Sequence, residues 1–479
     1  MRLFDTRIQK TKYKVLKEII SRAYEDRLEP DMYLEIPKKI VPGPKAEMRC
    51  CIYKERAVLQ ERIALALGGD KNNKNIIEVL DIACDECPVD SFFVTDACRG
   101  CISHRCMEAC PADAISMVHK HAFIDQDKCL ECGKCKKACP YGAIIENVRP
   151  CVRSCKAGAI SMDERKKAKI DESKCVACGA CVYMCPWGAI MDKSFVLDAV
   201  KILRESENNT KYKVYAVIAP SIVSQFKYAK IEQVVTGIQR LGFHHVVEAA
   251  LGADITLYKE MKELAEGKEK LTTSCCPSFV MYIEKQFPAL AKYISHSPSP
   301  MIEAADLIKA TDPTAKCIFI GPCTSKKAEI QRPENAGRID CVITFEELQA
   351  FLDAREIKVE ELPETRLENA SFYGRIFAKA GGIRQGVTEL AAQNGVAVNA
   401  LNCNGLEEIR VALLKMKAGK LPENFIEGMA CEGGCLNGAA CLTHGPKNVL
   451  DVDNYGKAAS EHSIENSVKL YKTAHKIEE

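Results

Sequence analysis

Long apolar runs are missing from this sequence of 479 residues. No stretch approaches the roughly 20 apolar residues that span a bilayer, so we expect no membrane segment. Positive and negative charges nearly cancel, to a formal net charge of +2, and no strong field indicates a nucleic-acid partner. Aromatic residues are scarce, at 6%, which excludes no class of protein. The charged first 20 residues contain no apolar core of a signal peptide, and the sequence therefore predicts a cytoplasmic protein.

Cysteine is present in excess, with 27 copies. In a secreted chain so many would indicate disulfides, whereas in a reducing cytoplasm clustered thiolates bind metal. Eighteen of them lie between Cys50 and Cys185, and nine lie from Cys275 onward. This division predicts two functional parts, of which the first is dense in metal ligands.

Of three cysteine runs in the first part, the second and third have the spacing of bacterial ferredoxins, and the first, from Cys98 to Cys110, has two more residues in its middle gap. In a C-x2-C-x2-C-x3-C-P run, three thiolates bind one 4Fe–4S cluster and the fourth binds its neighbour. The pairing of the first two runs predicts one cluster on Cys98, Cys101, Cys106 and Cys139, and a second on Cys129, Cys132, Cys135 and Cys110. The third run completes a third cluster, on Cys155, Cys175, Cys178 and Cys181. Zinc sites are the alternative, but zinc motifs lack this interleaved spacing.

A fourth cluster needs ligands from further away. Cys151 and Cys185 remain without partners, and Cys84 and Cys87 supply the missing C-x2-C pair, so we expect a 4Fe–4S cluster on these four. The alternatives are that this half holds no cluster, or that Cys50 and Cys51 replace the upstream pair. If they do not, those two are expected to be packed thiols.

A repeated phrase and a change of sequence pattern along the chain predict the architecture. A phrase ending in Ala-Ile recurs at 111–115, 140–144, 157–160 and 186–190, which argues for two tandem two-cluster units. A helix is expected at about 51–67. From residue 213 the pattern becomes α/β, with strands expected at 215–219, 316–320 and 396–400. We therefore predict a multidomain protein of the α+β and α/β classes. Its expected parts are an N-terminal region, two ferredoxin-like units, an α/β catalytic domain and a helical tail, at 1–95, 96–150, 151–195, 210–455 and 456–479.

Three loops of the second part carry a family resemblance. They are Thr273-Ser-Cys-Cys-Pro277, Gly321-Pro-Cys-Thr-Ser-Lys-Lys327 and Glu427-Gly-Met-Ala-Cys-Glu-Gly-Gly-Cys435, and they resemble the three signature loops of the iron-only (FeFe) hydrogenases. The resemblance implies an H-cluster, in which a 4Fe–4S cubane is joined to a two-iron unit with carbonyl, cyanide and azadithiolate ligands. Its expected protein ligands are Cys276, Cys323, Cys431 and the bridging Cys435.

Further roles follow from the same resemblance. Cys275 is the expected proton-transfer thiol, and a free thiol has a pKa near ~8.5. Lys326 would hydrogen-bond one cyanide, Pro220 and Ser221 would approach the other, and Met429 would pack against the two-iron unit. The alternative for Cys275 is an inert core thiol, and for Lys327 a surface role is as plausible.

A proton route is expected through two glutamates. Glu260 and Glu263 are spaced i, i+3, so on a helix they share a face. They follow a segment, 252–256, that resembles the one leading into the family's relay glutamates. The alternative is an ordinary solvated helix face.

Several positions depart from the best-studied members of the family. These are Phe279, Ser299, Gly321 and Glu432, and no clear match exists for the relay serine or the outer arginine. The changes are expected around the two-iron unit and the proton exit. They indicate a divergent, group B-like branch.

The resemblance implies a hydrogenase that catalyses H2 ⇌ 2 H⁺ + 2 e⁻. Electrons would pass through the N-terminal clusters to a soluble ferredoxin- or flavodoxin-like carrier, and hydrogenase maturation proteins would be needed. Two alternatives use the same motifs: a hydrogen sensor with slow turnover, and an iron–sulfur scaffold protein without the two-iron unit.

Overall fold

The structure is a computed structural model that describes residues 3–87, 91–368 and 370–474. Three helices open the chain: α1 (Arg7–Tyr24), α2 (Met32–Ile40) and α3 (Ile52–Ala66). The third confirms the helix that the sequence pattern predicts near residues 51–67. Among the described residues, no helix has the length and apolar character needed to cross a membrane.

Helix α1 is fastened to the C-terminal half of the chain. A capping box of Thr6 and Gln9 starts the helix, and its apolar stripe is fully buried. Lys12, on the same buried side, forms ion pairs of 2.6 Å with Asp192 and Glu346. The N-terminal region therefore shares one core with the C-terminal half of the molecule.

The cysteine-rich region is built of short strands and helices. Within the described residues its strands form antiparallel pairs: β1 (Ile77–Val79) with β8 (Ile190–Asp192), β2 (Phe92–Val94) with β5 (Ile144–Glu146), β3 (Ile115–Val118) with β4 (His121–Ile124), and β6 (Ile160–Met162) with β7 (Ala168–Ile170). Its helices are α4 (Arg105–Glu108), α5 (Lys134–Ala138), α6 (Pro150–Ser154) and α7 (Ala180–Met184). Each repeated phrase ends on an isoleucine that begins a strand, so the sequence repeat is also a structural repeat.

Two parallel sheets form the centre of the C-terminal half. The first has the order β10-β9-β12-β13 and the second the order β11-β15-β14. The strands are β9 (Val214–Ile218), β10 (His245–Glu248), β11 (Leu271–Thr272), β12 (Lys316–Gly321), β13 (Cys341–Thr344), β14 (Ala400–Asn404) and β15 (Phe425–Met429). Strands β9 and β12 are continuous apolar runs because helices cover both faces of their sheet.

Helices surround the two sheets. In chain order they are α8 (Val196–Glu205), α9 (Ile231–Arg240), α10 (Ala249–Ala265), α11 (Pro277–Gln286), α12 (Pro300–Thr311), α13 (Ser325–Glu329), α14 (Phe345–Ala354), α15 (Phe372–Ile376), α16 (Gly382–Asn394), α17 (Leu406–Lys417), α18 (Asn448–Lys457), α19 (Ile464–Ser467) and α20 (Lys469–Ala474). The last two lie in the expected helical tail, whose residues after 474 fall outside the described ones.

Two of the three predicted strands are confirmed, at β9 and β12. The third prediction, 396–400, is wrong, because the strand begins at Ala400. The preceding backbone is occupied by asparagine contacts: Asn424 Oδ1 accepts a hydrogen bond from the N–H of Asn399, and Asn424 Nδ2 donates to the carbonyl of Ala397. These side-chain bonds replace the ladder that the apolar pattern of this segment predicts.

Candidate metal centre and proton route

Four thiols meet at the carboxyl ends of parallel strands. Cys276 follows β11, Cys323 follows β12, and Cys431 and Cys435 follow β15. In open α/β sheets this edge is where ligands bind. Burial, followed by the nearby thiols of Cys323 and Cys276, raises the pKa of Cys435 to about 12. The same neighbours raise the pKa of Cys431. The structure therefore brings the four predicted H-cluster ligands together.

The four thiols match in number the protein ligands of a cubane. Within the described residues, no three His, Cys, Asp or Glu side chains converge on one ion position. Tetrahedral zinc requires such convergence, whereas each iron of a cubane takes one thiolate of its own. Binding of iron replaces the proton that burial otherwise holds on each thiol.

An apolar cavity of about 80 Å³ adjoins these thiols. Its walls include Cys275, Pro220, Met429, Phe377 and Lys326, together with the thiol residues Cys276, Cys323 and Cys435. Ser221, directly after Pro220, is fully buried, and its hydroxyl has no hydrogen-bond partner among the described residues. A buried hydroxyl without a partner has an unmet demand for a hydrogen bond, and Ser221 lies next to the lining residue Pro220 without lining the cavity itself. The donor set thus fits a cubane with a smaller polar group attached to it.

Lys326 is the one cationic wall residue of this cavity. Its Nζ donates to Ser299 Oγ at 2.8 Å and to the carbonyl of Cys275 at 3.3 Å, and it forms an ion pair of 2.7 Å with Glu329. Burial alone would lower the pKa of this lysine, but Glu329 outweighs burial and the net shift is upward. The ammonium stays charged and points toward the place where anionic ligands would sit.

Lys327 has no surface role, so that alternative is wrong. The residue is completely buried, with ion pairs of 2.9 Å to Asp192 and 2.8 Å to Glu347. Asp192 also pairs with Lys12, so this network joins the end of the ferredoxin-like region to the second signature loop.

A chain of titratable groups leads from Cys275 toward the surface. Cys275 is buried, and burial together with nearby Glu260 raises the pKa of its thiol well above the ordinary value, which corrects the expected value near neutrality. Glu260 accepts a hydrogen bond of 3.2 Å from the N–H of Ser274. Desolvation raises the pKa of Glu260 to about 8, so this carboxyl is protonated at neutral pH.

The outer part of the chain includes a serine that the sequence did not reveal. The hydroxyl of Ser295 donates to Glu263 Oε1 at 2.7 Å and also lies near enough to Glu260 to lower its pKa. Glu263 further contacts Lys268 and the exposed His296. Glu260 is buried, so the alternative of a solvated helix face is wrong for it. Ser295 lies in a loop with no motif, which is why only the structure identifies it.

The first two N-terminal thiol groups form as the spacing predicts. Burial, and then the thiols of Cys101 and Cys139, raises the pKa of Cys106. In the second group, burial and then the thiols of Cys129 and Cys110 raises the pKa of Cys135. Cys98 packs in the same small core, and Cys132 is exposed between Cys129 and Cys135. The crossed pairing is therefore present in the fold.

The third group lies next to the candidate H-cluster. Burial raises the pKa of Cys178 to about 12, and the neighbouring thiols of Cys175, Cys155 and Cys323 act in the same direction. Cys181 is affected by the same group. The adjoining loops are joined by a hydrogen bond of 2.7 Å from Thr324 Oγ1 to the carbonyl of Ala177. The third thiol group therefore borders Cys323, one of the four predicted H-cluster ligands.

The fourth group also comes together. Burial raises the pKa of Cys151 to about 11, and the thiols of Cys185, Cys87 and Cys84 contribute. Cys50 and Cys51, by contrast, are exposed, so the expectation that they are packed thiols is wrong. Cys51 caps α3, where its sulfur accepts a hydrogen bond of 3.5 Å from the N–H of Lys54.

Backbone N–H groups point at the donated thiols in a repeated manner. The N–H of the alanine four residues later donates to Cys110 Sγ at 3.3 Å, to Cys155 Sγ at 3.2 Å and to Cys185 Sγ at 3.3 Å. Such hydrogen bonds favour the thiolate form and help to set cluster potentials. The repeated Ala-Ile phrase thus has a chemical reason.

Comparison with known proteins agrees with this geometry. The profile of the iron-only hydrogenase large subunit, C-terminal domain, matches residues 212–439. Profiles of a 4Fe-4S dicluster domain and a 4Fe-4S double cluster binding domain match residues 91–140 and 128–188. Iron hydrogenase 1 of Clostridium pasteurianum is 30% identical over 393 residues, which cover 70% of this chain and 67% of that protein. The chain belongs to the iron-only hydrogenase family.

Other relatives of this hydrogenase-family chain differ in function. The periplasmic Fe hydrogenase large subunit of Nitratidesulfovibrio vulgaris is 29% identical over 66% of this chain and 85% of its own length. A cytosolic Fe-S cluster assembly factor of Danio rerio is 25% identical over 43% of this chain and 64% of its own length. Membership of the family therefore leaves open whether this member turns over hydrogen.

The four departures from the iron-only hydrogenase pattern have different surroundings. Ser299 accepts the hydrogen bond from Lys326, so it keeps a polar contact at the cavity wall. Phe279 is fully buried, with its ring against Gly428. Gly321 leaves room for the Phe319 ring. Glu432 is exposed and is not among the residues that line the cavity beside Cys276.

Proposed function

We propose that this chain is a hydrogenase that catalyses H2 ⇌ 2 H⁺ + 2 e⁻ at an H-cluster on Cys276, Cys323, Cys431 and Cys435. The observation that carries the proposal is the buried path Cys275–Glu260–Ser295–Glu263, which begins at the cavity beside these thiols. A protein that only stores or transfers a cubane needs the four thiols and has no use for such a path.

The H-cluster, when bound, supplies the redox chemistry of hydrogen, and the chain supplies its surroundings. Lys326 provides a buried positive charge for anionic ligands, and the free hydroxyl of Ser221 provides a second donor. Met429, Pro220 and Phe377 make the wall apolar and keep water out. In a dry cavity these polar contacts are stronger than they would be in water.

The chain moves protons by means of groups that hold them at neutral pH. The Cys275 thiol and the Glu260 carboxyl both carry a proton, because burial raises both pKa values. Glu263 is kept ionised since its pKa is lowered: burial opposes this, but the contacts with Lys268 and Ser295 outweigh it. A proton acceptor at the surface end and proton donors at the cavity end suit transfer in either direction.

Electrons would use the four N-terminal thiol groups. The group on Cys155, Cys175, Cys178 and Cys181 borders the catalytic thiols, and the group on Cys98, Cys101, Cys106 and Cys139 lies in the more exposed part of the chain. We propose that all four bind 4Fe–4S clusters and that a ferredoxin- or flavodoxin-like carrier is the external partner. The relatives named as hydrogenases support the coarser statement that an electron carrier is involved.

An iron–sulfur assembly role is the second candidate, because an assembly factor is among the relatives. It requires the cluster ligands and makes no use of Cys275 or Glu260. The two candidates therefore differ in what they predict for Cys275.

Replacement of Cys275 by alanine tests the proposal. General acid–base groups contribute about 100- to 10,000-fold to a rate, so we expect Cys275→Ala to lower hydrogen uptake and evolution at least 100-fold in the maturated protein. The carbonyl and cyanide infrared bands should remain, since Cys275 is not a proposed ligand. Cys317→Ala is the control, because Cys317 is a buried thiol on β12 outside the cavity and should leave turnover unchanged. Unchanged hydrogen turnover in Cys275→Ala would contradict the proposed proton path.

A further inference from the structure

Arg62 is a buried arginine with no carboxylate partner among the described residues. It lies on α3, is 3% exposed, and donates to the carbonyls of Gly188 at 3.0 Å and Ile8 at 3.5 Å. Its Nε has no partner in the described part of the chain. An arginine stays charged in proteins, and a buried charge without a counter-charge is strongly destabilising. A negative charge is therefore expected close to this side chain.

The nearest candidate for that charge is the fourth thiol group. Gly188 belongs to the turn that follows Cys185, in which the N–H of Ala189 donates to Cys185 Sγ at 3.3 Å. A Cβ at Gly188 would come within 2.4 Å of the Arg62 guanidinium, so glycine permits the close approach. Burial and then Arg49 lower the pKa of Arg62 to about 10, whereas Cys185 acts to raise it. Arg62 thus lies against the turn that surrounds this thiol group.

Two other cations near this thiol group, Arg49 and Lys54, form ion pairs with carboxylates. Arg49 forms an ion pair of 2.7 Å with Glu86 and donates to the carbonyl of Trp187. Lys54 pairs with Asp85 and Glu86 at 2.9 Å. Arg149 lies near Cys87 and acts to lower the pKa of its thiol. Arg49 and Lys54 are thus balanced by carboxylates, whereas no carboxylate among the described residues pairs with Arg62.

We propose that Arg62 is the counter-cation of the 4Fe–4S cluster on Cys84, Cys87, Cys151 and Cys185, and that it raises the reduction potential of that cluster. Reduction adds one electron from the external carrier, or from hydrogen oxidation at the catalytic site, and no proton moves. The added negative charge is stabilised by a fixed guanidinium in a low-dielectric surrounding. The inference rests on the proposed function for the presence of the fourth cluster.

The expected effect is moderate. Arg62 also borders a cavity of about 410 Å³, and water in a cavity of this size would screen part of the charge. We expect removal of the charge to change the equilibrium constant for reduction of this one cluster at least tenfold. For a one-electron couple, a tenfold change is 59 mV.

The test is a redox titration of the maturated full-length protein, followed by electron paramagnetic resonance. In Arg62→Gln, one of the four N-terminal clusters should become harder to reduce by at least 59 mV, and the others should not move. Arg62→Lys keeps the charge and should retain most of the original potential. Arg56→Gln is the matched control, because Arg56 lies on the same helix and donates to the carbonyls of Val41 and Pro42 instead.

The outcomes separate the inference from the proposed function. An iron content that leaves out the fourth cluster in the wild-type protein would sink the inference and the four-cluster part of the proposed function, whereas the proposal of hydrogen turnover has its own test in Cys275→Ala. Four clusters with unchanged potentials in Arg62→Gln would sink the inference alone, as would equal shifts in the Gln and Lys variants, since these would indicate packing instead of charge. Arg62→Met removes the charge with a similar stem and replaces Arg62→Gln if the latter loses its clusters.

Discussion

Glu260 and Glu263 are separated by one helical turn on α10 and have opposite pKa shifts. Glu260 is fully buried, one of its carboxyl oxygens has no hydrogen-bond partner among the described residues, and desolvation raises its pKa to about 8. Glu263 is half-buried and is contacted by Lys268 and Ser295, which lower its pKa against the effect of burial. Two identical side chains thereby differ in protonation at neutral pH, as the proposed proton path requires.

Replacement of Glu260 by glutamine should change how stability depends on pH. In the unfolded chain this carboxyl titrates near its ordinary value of 4.5, and in the folded protein near 8. The folded state therefore binds an extra proton between these values, and the contribution of Glu260 to the free energy of unfolding falls as the pH rises through that window. At about 1.4 kcal/mol for each pKa unit, the loss amounts to a few kcal/mol.

Urea unfolding of the wild type and Glu260→Gln at pH 5.5 and pH 8.5 measures this effect. The wild type should lose more stability on going to the higher pH than the variant does. Glu263→Gln is the control with the opposite sign, because a lowered pKa contributes stability that is lost as the pH falls. Equal pH dependence in the wild type and Glu260→Gln would show that Glu260 is not protonated in the folded protein.

Much of the site at the level of single residues could be predicted from the sequence. The motifs of the three signature loops contain Cys275 and the four thiols that we propose as H-cluster ligands, Cys276, Cys323, Cys431 and Cys435. Thiols of this kind bind iron or carry a proton. Ser295 and the partners of Lys327 could not be predicted, because their roles depend on which distant elements pack together. The raised pKa of Cys275 could not be predicted from the sequence either, because burial is its main cause.

At the scale of elements, close packing around Gly179 joins the loop of the third thiol group to the first and second signature loops. Gly179 has a φ of 73°, and a Cβ there would lie 2.6 Å from both Thr324 Oγ1 and the Ala439 Cβ. Ser278 Oγ, at the start of α11, donates to the carbonyl of Val176 at 3.0 Å in the same loop. The first and second signature loops are thus both held against the segment that carries Cys178.

Gly179→Ala should weaken this junction. An L-residue in the left-handed region costs roughly 1–2 kcal/mol, and here the Cβ would also force the loops apart. Gly158→Ala is the matched control: its φ is 64°, and a Cβ there would meet nothing within 4 Å. We expect Gly179→Ala to lower the urea midpoint more than Gly158→Ala, and to slow electron exchange between a reduced carrier and the catalytic site. Equal midpoints in the two variants would contradict the close packing.

The bounds of helices and strands can be predicted from hydrophobic periodicity where no side-chain hydrogen bonds compete for the backbone. Helix α3 and strands β9 and β12 match their predictions because apolar periodicity and burial agree. The segment at 396–400 has a similar apolar pattern, but Asn399 and Asn424 bond to each other's backbone. Side-chain hydrogen bonds of this kind compete with strand ladders and are not visible in hydrophobic periodicity.

At the scale of the whole molecule, the fourth thiol group joins distant parts of the chain. Cys84 and Cys87 lie upstream of the first ferredoxin-like run, and Cys151 and Cys185 lie beyond it. A cluster here would link these segments, which the buried network of Lys12, Asp192 and Lys327 also links to the catalytic part.

Iron analysis of Cys84→Ala/Cys87→Ala tests this assignment. Loss of both ligands should remove one cubane, which is four irons for each chain, while the remaining clusters persist. Cys50→Ala/Cys51→Ala is the control and should lose no iron, since those thiols are exposed and lie in none of the thiol groups described above. An unchanged iron content in the first variant would reject the fourth cluster.

The grouping of the N-terminal cysteines could be predicted from the sequence because the ligands of iron–sulfur clusters follow a strict spacing. The crossed pairing of the first two runs follows from the spacing alone, and the fourth group follows from counting the cysteines that remain. The sequence could not predict which thiol group lies beside the signature loops, because this depends on how the ferredoxin-like region packs against the C-terminal half.

The central claim is that the chain holds an active H-cluster, and one measurement tests it most directly. The maturated protein is examined by infrared spectroscopy in the carbonyl and cyanide region, and hydrogen uptake and evolution are measured on the same sample. Our account predicts both sets of bands together with turnover of hydrogen. Intact 4Fe–4S clusters without these bands would contradict it and would favour the assembly role.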